Sequence, residues 1–265
     1  MAAPNEITCK QLMRLIGLPD CPVIVDISID PDFAKDPFLI PGSFRHPHTD
    51  LEGLIARLNG RACVITCQQG IKLSQGLTSR LRGRGIAAEY LTGGMYGWRD
   101  TPNTPRIPFA ALPDTNLWVT RHRPKIDRIA CPWLIRRFVD ADAEFLFVSP
   151  EQAAGVADCY GATPFDIPDV AFSHHGDLCT FDAMLDAFDL RTVALDRMAQ
   201  IVRAADTGTT DIPQAAGLLA LSVGLSRMHR DDHTQLDAAL PMYDALYRWA
   251  RDGVDETHAS FGGTP

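Results

Sequence analysis

The sequence lacks the paired cysteines that mark a disulfide framework or a cysteine-rich zinc site. Its cysteines are seven in number, are scattered along 265 residues and contain no CxxC pair. An odd count at irregular spacing argues against a chain held together by disulfides. Each cysteine is therefore interpreted from its own neighbours. They are Cys9, Cys21, Cys63, Cys67, Cys131, Cys159 and Cys179.

The sequence also lacks an apolar run long enough to cross a bilayer, which needs about 20 residues. Its most apolar stretch, 213–228, has only 16 residues and contains two glycines, so a buried helix is expected there. The first residues, MAAPNEITCK, have neither the basic start nor the apolar core of a signal peptide. We therefore expect a cytoplasmic protein without a membrane partner.

The second half of the chain lacks an excess of positive charge. Residues 1–109 carry a net charge of +2 and residues 110–265 a net charge of −10, which together give the −8 of the whole chain. A nucleic-acid surface needs clustered Lys and Arg to neutralise phosphates. We therefore expect no nucleic-acid partner, and the sequence leaves the oligomeric state open.

A proline-rich segment, DTPNTPRIPFAALPDT at 100–115, interrupts the chain. It contains four prolines and no helical or strand period, which is typical of a linker. We place the boundary at residue 109, which predicts one domain at 1–109 and a second at 110–265. Each part is long enough to bury a core of its own.

Strand and helix patterns alternate before this linker. Thr8 and Gln11 have the spacing of a capping box at the start of a helix. Short β-rich runs occupy 23–28, 62–67 and 87–91, with a helical pattern between the last two. This order predicts an α/β domain built on a parallel sheet.

Helical patterns dominate after the linker. Asp127 is predicted to cap a helix that runs to Phe138, and the run at 144–149 is the one strong strand pattern. The remaining periodic stretches have helical spacing. The second half is therefore predicted to be a mainly α-helical domain with minor strand content.

Cys67 ends an apolar run and is followed by QQGIKLS, in which a helical pattern begins. In parallel α/β sheets, loop amides gather where strand ends meet helix starts. The helix start and Lys72 would favour the thiolate, which is the nucleophilic form of a cysteine. From these residues alone, Cys67 is either a nucleophile or a small buried side chain. Cys63, in the same strand, is predicted to belong to the core.

Four stretches resemble a rhodanese-homology domain over residues 6–101: VIVDIS, FLIPGSFRHP, CQQGIKLS and GLTSRLRGRGIAAEYLTGGMYGWRD. The resemblance implies that Cys67 carries a sulfane sulfur as a persulfide. It also implies a sulfurtransferase that takes sulfur from a small donor and passes it to a thiol acceptor, with no cofactor required. The implied cradle of the persulfide consists of Gln68, Gln69, Gly70, Ile71, Lys72 and Leu73.

The chain departs from this family at two places. Ser28 stands where many members have an arginine shortly after the residue equivalent to Asp26, so an arginine-based ion pair is predicted to be missing. Ile71 and Lys72 stand where asparagine and arginine are common. Ile71 loses one polar contact, and Lys72 keeps the positive charge as a compact ammonium group in place of a planar guanidinium. We therefore expect anion recognition that differs from thiosulfate binding.

The second half resembles the C-terminal domain of the chromate-resistance ChrB family over about residues 116–252. The resemblance rests on RPKIDRIACPWLIRRF, FSHHGDLCTFDAML, IVRAADTG and AAGLLALSVGLSRM. Longer members have a regulatory segment before this domain, whereas this chain has the rhodanese-like part in that place, which disfavours a transcription regulator. The resemblance implies a link to chromate or oxidative-stress resistance and transfers no catalytic residue.

A basic segment around Cys131 is one candidate site of this half. Its cations would hold chromate or another oxyanion, or would lower the pKa of the Cys131 thiol. The alternative is a solvated helix face. The residues of this candidate are Arg123, Arg128 and Cys131, with Arg121, Lys125, Arg136 and Arg137 nearby in the sequence.

His174, Asp182 and Asp206 are the candidate ligands of a divalent metal. They lie at the ends of three predicted helices, which would bring them to one crevice. Imidazole and carboxylate suit a transition metal, and three protein ligands leave positions open for water or substrate. The alternative is that Asp182 caps its helix and Asp206 pairs with an arginine.

The leading hypothesis is a sulfurtransferase-like protein tied to chromate or oxidative-stress resistance. A non-catalytic sensor that binds an oxyanion or a metal is an alternative from another class. A metal-dependent enzyme in the second domain is the third.

Overall fold

The computed structural model describes residues 5–208 and 212–256, and contacts divide the chain into two compact units. The first unit comprises Met1–Asn116, Leu134–Ala143 and Ala187–Leu190, and the second comprises Leu117–Trp133, Glu144–Asp186 and Arg191–Pro265. Two short segments of the second half therefore belong to the first unit. The domain boundary at residue 109 stays a prediction. Residues 1–4, which belong to the segment that lacks the features of a signal peptide, lie outside the described range.

The first unit is built on a five-stranded parallel sheet. Its strands and those of a small antiparallel pair are β1 (Glu6–Ile7), β2 (Val23–Asp26), β3 (Phe38–Leu39), β4 (Ser43–Arg45), β5 (Cys63–Thr66), β6 (Ala88–Leu91) and β7 (Ile107–Pro108). The sheet has the order β1-β6-β5-β2-β4, and β3 pairs with β7. The predicted α/β class with a parallel sheet is confirmed.

Helices cover this sheet: α1 (Cys9–Met13), α2 (Asp30–Phe33), α3 (Leu51–Leu58), α4 (Lys72–Gly83) and α5 (Gly94–Asp100). The predicted capping box forms at α1, where Thr8 and Gln11 exchange hydrogen bonds. All residues of β5 are buried, and its Ile65 packs in one core cluster with Leu54 of α3 and Leu77 of α4. The central position of β5 in the sheet therefore fixes where the residue after it, Cys67, lies.

The second unit contains a three-stranded parallel sheet of order β10-β8-β9, with β8 (Leu117–Arg121), β9 (Glu144–Val148) and β10 (Thr163–Pro164). The rest of this half is mostly helical, as predicted: α6 (Asp127–Leu134), α7 (Ala153–Tyr160), α8 (Thr180–Ala187), α9 (Val193–Thr207), α10 (Pro213–Met228) and α11 (Asp232–Arg248). None of the described helices combines the length and the apolar character that a membrane span requires.

Helix α6 begins at Asp127 as predicted but changes geometry before Phe138. Pro132 lies inside the helix and has no N–H to donate to the preceding turn. From Ile135 to Val139 the chain forms a π-helical turn, and the Asp140 amide donates to the Ile135 carbonyl at 2.8 Å. The predicted helical run is therefore present, with a wider last turn.

Candidate functional site

Cys67 directly follows β5 and precedes the start of α4. Its side chain is 5% exposed, and its Sγ donates to Ser74 Oγ at 3.4 Å. Ser74 lies in the first turn of α4 and donates in turn to the Ile71 carbonyl at 3.2 Å. The thiol is therefore held at the junction of a central strand and a helix start, as the sequence predicts.

The loop after Cys67 is shaped by close backbone packing against the start of α5. The amides of Met95 and Tyr96 donate to the carbonyls of Cys67 and Gln68, each at 3.0 Å. Gly70 has a φ of +68°, and a Cβ at this position would lie 2.4 Å from the Gly94 nitrogen. Only glycine meets both requirements, because other residues disfavour this conformation and carry the atom that would clash.

The backbone amides of residues 68–74 are a candidate anion-binding feature. Within the described part of the chain, none of them donates a hydrogen bond to another residue. Consecutive amides at a helix start form a natural binding place for an anion. We call residues 67–74 the Cys67 loop.

The side chains of the predicted cradle have different positions. Ile71 is 48% exposed and Lys72 is exposed, whereas Leu73 packs against the hydrophobic core. Gln68 donates through Nε2 to the Asp32 carbonyl at 3.0 Å. The predicted sulfur-binding roles stay predictions for all six residues of the cradle, Gln68, Gln69, Gly70, Ile71, Lys72 and Leu73. The backbone amides without an acceptor are the groups of this loop best suited to bind the persulfide.

Asp26 and Ser28 form a hydrogen-bonded pair after β2. The amide and the hydroxyl of Ser28 donate to Asp26 Oδ1 at 2.8 and 2.6 Å. Arg45 is the register partner of Asp26 on β4 and donates to the Ser28 carbonyl at 2.9 Å. Burial raises the pKa of Asp26, and the Ser28 hydrogen bonds and Arg45 oppose that rise. An arginine therefore reaches this place from a neighbouring strand, although Ser28 itself is not one.

Cys63 behaves as the core residue that the sequence predicts. It is 2% exposed and shares a hydrophobic cluster with Cys67. Burial raises the pKa of the Cys63 thiol to about 12, so the thiol is neutral at physiological pH.

In the second unit, the imidazole of His174 faces three carboxylates. Its Nε2 lies 3.3 Å from Asp166 Oδ1, 3.4 Å from Asp127 Oδ2 and 3.8 Å from Asp206 Oδ2. One ligand atom each of Asp127, His174 and Asp206 lies within 4.8 Å of the others. Two of the predicted metal ligands, His174 and Asp206, are therefore together. We call these four residues the His174 cluster.

Asp127 caps a helix other than its own. Its Oδ2 accepts from the Thr180 amide at 2.8 Å and its Oδ1 accepts from the Phe181 amide at 3.0 Å. These amides begin α8 and would otherwise have no partner. Asp127 was predicted to cap α6, but it is the first residue of α6 and its side chain caps α8 instead. These hydrogen bonds connect the two helices, and Asp127 is 2% exposed.

Asp166 is fixed by arginines on one side and faces His174 on the other. Arg121 Nη2 and Arg128 Nε lie 2.9 and 3.1 Å from Oδ2, and Thr180 Oγ1 donates to Oδ1 at 3.1 Å. Its φ of +51° is a conformation that aspartate tolerates better than most residues. Asp166 was not predicted as a site residue, since the surrounding TPFDIPD signals only a turn.

Negative charge dominates the His174 cluster. Burial raises the pKa of Asp206 to about 6, and the charges of Asp127 and Asp166 add to that rise. The hydrogen bond with Asp127 raises the pKa of His174, while partial burial opposes it. No N–H or O–H of the described residues donates a hydrogen bond to Asp206. The cluster therefore favours an added positive charge.

Asp182 lies outside this cluster. It is 1% exposed, its Oδ2 accepts from Arg203 Nη1 at 2.8 Å and from the Cys179 amide at 3.3 Å, and Arg191 Nη1 lies 3.3 Å from Oδ1. Asp182 therefore accepts a backbone amide at the start of α8, as the alternative to metal binding predicted, and the arginine pairing predicted for Asp206 occurs at Asp182 instead.

The residues of the predicted anion site have separate partners. Cys131 is fully buried and its Sγ donates to Asp127 Oδ1 at 3.6 Å. Burial, and then the Asp127 charge, raise the pKa of this thiol, which is opposite to the lowering considered from the sequence. Arg128 pairs with Asp166, and Arg123 donates to the Ser226 carbonyl and to the His229 carbonyl at 3.0 Å. These side chains do not converge on a common ligand position.

The solved structures that are similar to this chain include a rhodanese-like domain protein. A rhodanese-like domain protein from Staphylococcus aureus is 28% identical, covers 37% of this chain and 94% of its own, and has a TM-score of 0.32. A protein from Staphylococcus saprophyticus is 26% identical, covers 34% and 89%, and has a TM-score of 0.31. A possible tyrosine phosphatase from Rhodopseudomonas palustris is 22% identical, covers 36% and 80%, and has a TM-score of 0.31.

The second half matches a family model described as the C-terminal domain of ChrB, over residues 118–250. Protein ChrB of Cupriavidus metallidurans is 34% identical over 136 residues, which is 49% of this chain. The match spans 39% of that relative's length. The predicted resemblance of the second half is confirmed.

Proposed function

The chain belongs to the ChrB C-terminal domain family, and on this premise we propose that it is a sulfurtransferase-like protein of chromate or oxidative-stress resistance. The proposed carrier of the sulfane sulfur is Cys67, as a persulfide. The observation that carries the proposal is the run of free backbone amides in the Cys67 loop, directly after the thiol.

The proposed reaction has two steps. The Cys67 thiol loses its proton to solvent, and the resulting thiolate attacks the outer sulfur of a small sulfane-sulfur donor, for which thiosulfate is used in the assay. A bond forms between Sγ and that sulfur, and the donor's S–S bond breaks with its electron pair leaving on sulfite. A thiolate acceptor, or cyanide in an assay, then takes the outer sulfur and restores the Cys67 thiolate.

The local structure supports each requirement of this reaction. The amides of the loop supply donors to the negative charge of the persulfide in both steps. The start of α4 favours anions at the same place. Because Ile71 is 48% exposed and Lys72 is exposed, the outer side of the loop is open to a small donor.

The proposal is tested with the purified full chain, thiosulfate and cyanide. Cys67→Ser should lower thiocyanate formation by at least about 100-fold, since the attacking group is gone. Cys159→Ser, an exposed cysteine outside the loop, is the control and should keep the activity. Thiosulfate alone should add the mass of one sulfur atom to the wild-type chain and none to Cys67→Ser. Equal transfer by Cys67→Ser and wild type would overturn the assignment.

A further inference from the structure

We propose that Asp127, His174 and Asp206 bind one divalent transition-metal ion of the manganese, iron or zinc class. This site is separate in chemistry from the sulfur transfer proposed for Cys67, and neither proposal depends on the other.

The spacing of the ligand atoms fits a shared ion. Metal–nitrogen and metal–oxygen bonds of about 2.1 Å at a tetrahedral centre place two ligand atoms about 3.4 Å apart. His174 Nε2 lies 3.4 Å from Asp127 Oδ2 and 3.8 Å from Asp206 Oδ2. The oxygens of Asp127 and Asp206 lie within 4.8 Å of each other, so side-chain rotation that closes this separation would bring all three atoms onto one ion.

The surroundings of Asp127 are those expected around a metal ligand. Ligating carboxylates are commonly held by hydrogen bonds on the side away from the ion. Asp127 is held by the Thr180 and Phe181 amides. Asp166 Oδ1 lies 3.3 Å from the same Nε2 that would bind the ion, and Arg121 and Arg128 hold its other oxygen.

When His174 is a neutral ligand, the three carboxylates of the cluster exceed the two arginines by one negative charge. Arg121 and Arg128 both contact Asp166, through the same oxygen. Asp206 accepts no hydrogen bond from the described residues, and one of its oxygens lies within 4.8 Å of an Asp127 oxygen. A divalent ion between Asp127 and Asp206 would offset the negative charge of both carboxylates.

The site is open on one side. The side chain of His174 is 42% exposed and that of Asp206 is 27% exposed, whereas Asp127 is 2% exposed. An ion held by three protein ligands at such a place keeps coordination positions for water or another small ligand. This openness is a property of catalytic or sensing sites, since structural metals are closed on all sides.

The ion is sought by metal analysis and calorimetric titration of the full chain. Protein stripped with a chelator and then dialysed should bind about one equivalent of Mn²⁺ or Zn²⁺ per chain. His174→Ala and Asp206→Asn should each lower the bound metal by at least about tenfold, because one of three ligands is lost. Both substituted side chains are partly exposed, so circular dichroism should remain that of the wild type.

His175→Ala is the matched control, because His175 is adjacent to His174 and lies outside the ligand group. It should retain the full equivalent of metal. A stripped wild type that binds neither ion would overturn the site, as would His174→Ala and Asp206→Asn proteins that still bind one equivalent. Thiocyanate formation by all of these variants tests the Cys67 proposal separately.

Discussion

The Cys67 loop and the His174 cluster differ in how each is assembled. The Cys67 loop is continuous in sequence and consists mainly of backbone amides and one thiol. The His174 cluster joins charged side chains from residues 127, 166, 174 and 206. A continuous site depends on the shape of one loop, whereas a dispersed site depends on how several helices are held together.

The second difference is electrostatic. The amides of the Cys67 loop carry only partial charges and favour an anion. The His174 cluster carries three carboxylates and favours a cation, and burial, together with the charges of Asp127 and Asp166, raises the pKa of Asp206 to about 6. A perturbation of loop shape should therefore affect sulfur transfer, and a change of charge should affect metal binding.

Gly94→Ala should have the largest effect on stability. Its Cβ would lie 2.1 Å from the Cys67 carbonyl oxygen and 2.3 Å from the Gly70 nitrogen, and its φ is +58°. Both contacts are with backbone, so the loop must move, which should lower the free energy of unfolding by about 4 kcal/mol. Chemical denaturation measures this loss.

Sulfur transfer by Gly94→Ala should fall with the displaced loop, while the bound metal should stay at the wild-type level. A variant with wild-type stability and transfer would show that the loop does not need this close approach. Loss of metal together with transfer would remove the distinction between the two sites.

Asp182→Asn should lower the free energy of unfolding by about 3 kcal/mol, because it removes the charge that faces Arg191 and Arg203 at a buried position. Its metal content should remain that of the wild type, since Asp182 lies outside the ligand group. Thermal or urea denaturation, followed by metal analysis of the folded protein, measures both quantities. Metal loss in a folded Asp182→Asn protein would restore Asp182 as a ligand.

Gly76→Ala should have the smallest effect and the opposite sign. Gly76 lies within α4, just beyond the Cys67 loop, and a Cβ there has open space. Alanine should raise the free energy of unfolding by about 0.5–1 kcal/mol, since it reduces the freedom of the unfolded chain. Sulfur transfer should be unchanged, which makes this variant the matched control for Gly94→Ala. A destabilised Gly76→Ala protein would contradict the open packing at this position.

Local patterns predicted much of the fold. The capping box of Thr8 and Gln11 forms, and the β-rich runs around β2, β5 and β6 are parallel strands. These features depend on hydrogen bonds and side-chain alternation within a few residues. The change of α6 to a π turn after Pro132 was not predicted, because it depends on how the chain closes its hydrogen bonds over the next turn.

The Cys67 loop could be recognised from the sequence because its thiol, glycine and helix start are neighbours in the chain. The His174 cluster could be recognised only in part. His174 and Asp206 were chosen from their residue types and helix-end positions, but Asp127 was interpreted as a cap, Asp166 was missed and Asp182 was included.

The sequence by itself determined the elements with local causes: the order of strands and helices, the thiol at the end of β5 and the glycines of its loop. Only the tertiary structure decided which aspartates share the imidazole of His174. Helix ends distant in sequence meet there, and Asp127 is directed to the cluster by the amides of α8 rather than by its own helix. Periodicity reports which face of an element is buried, whereas the meeting of two helix ends depends on long-range packing that no short pattern records.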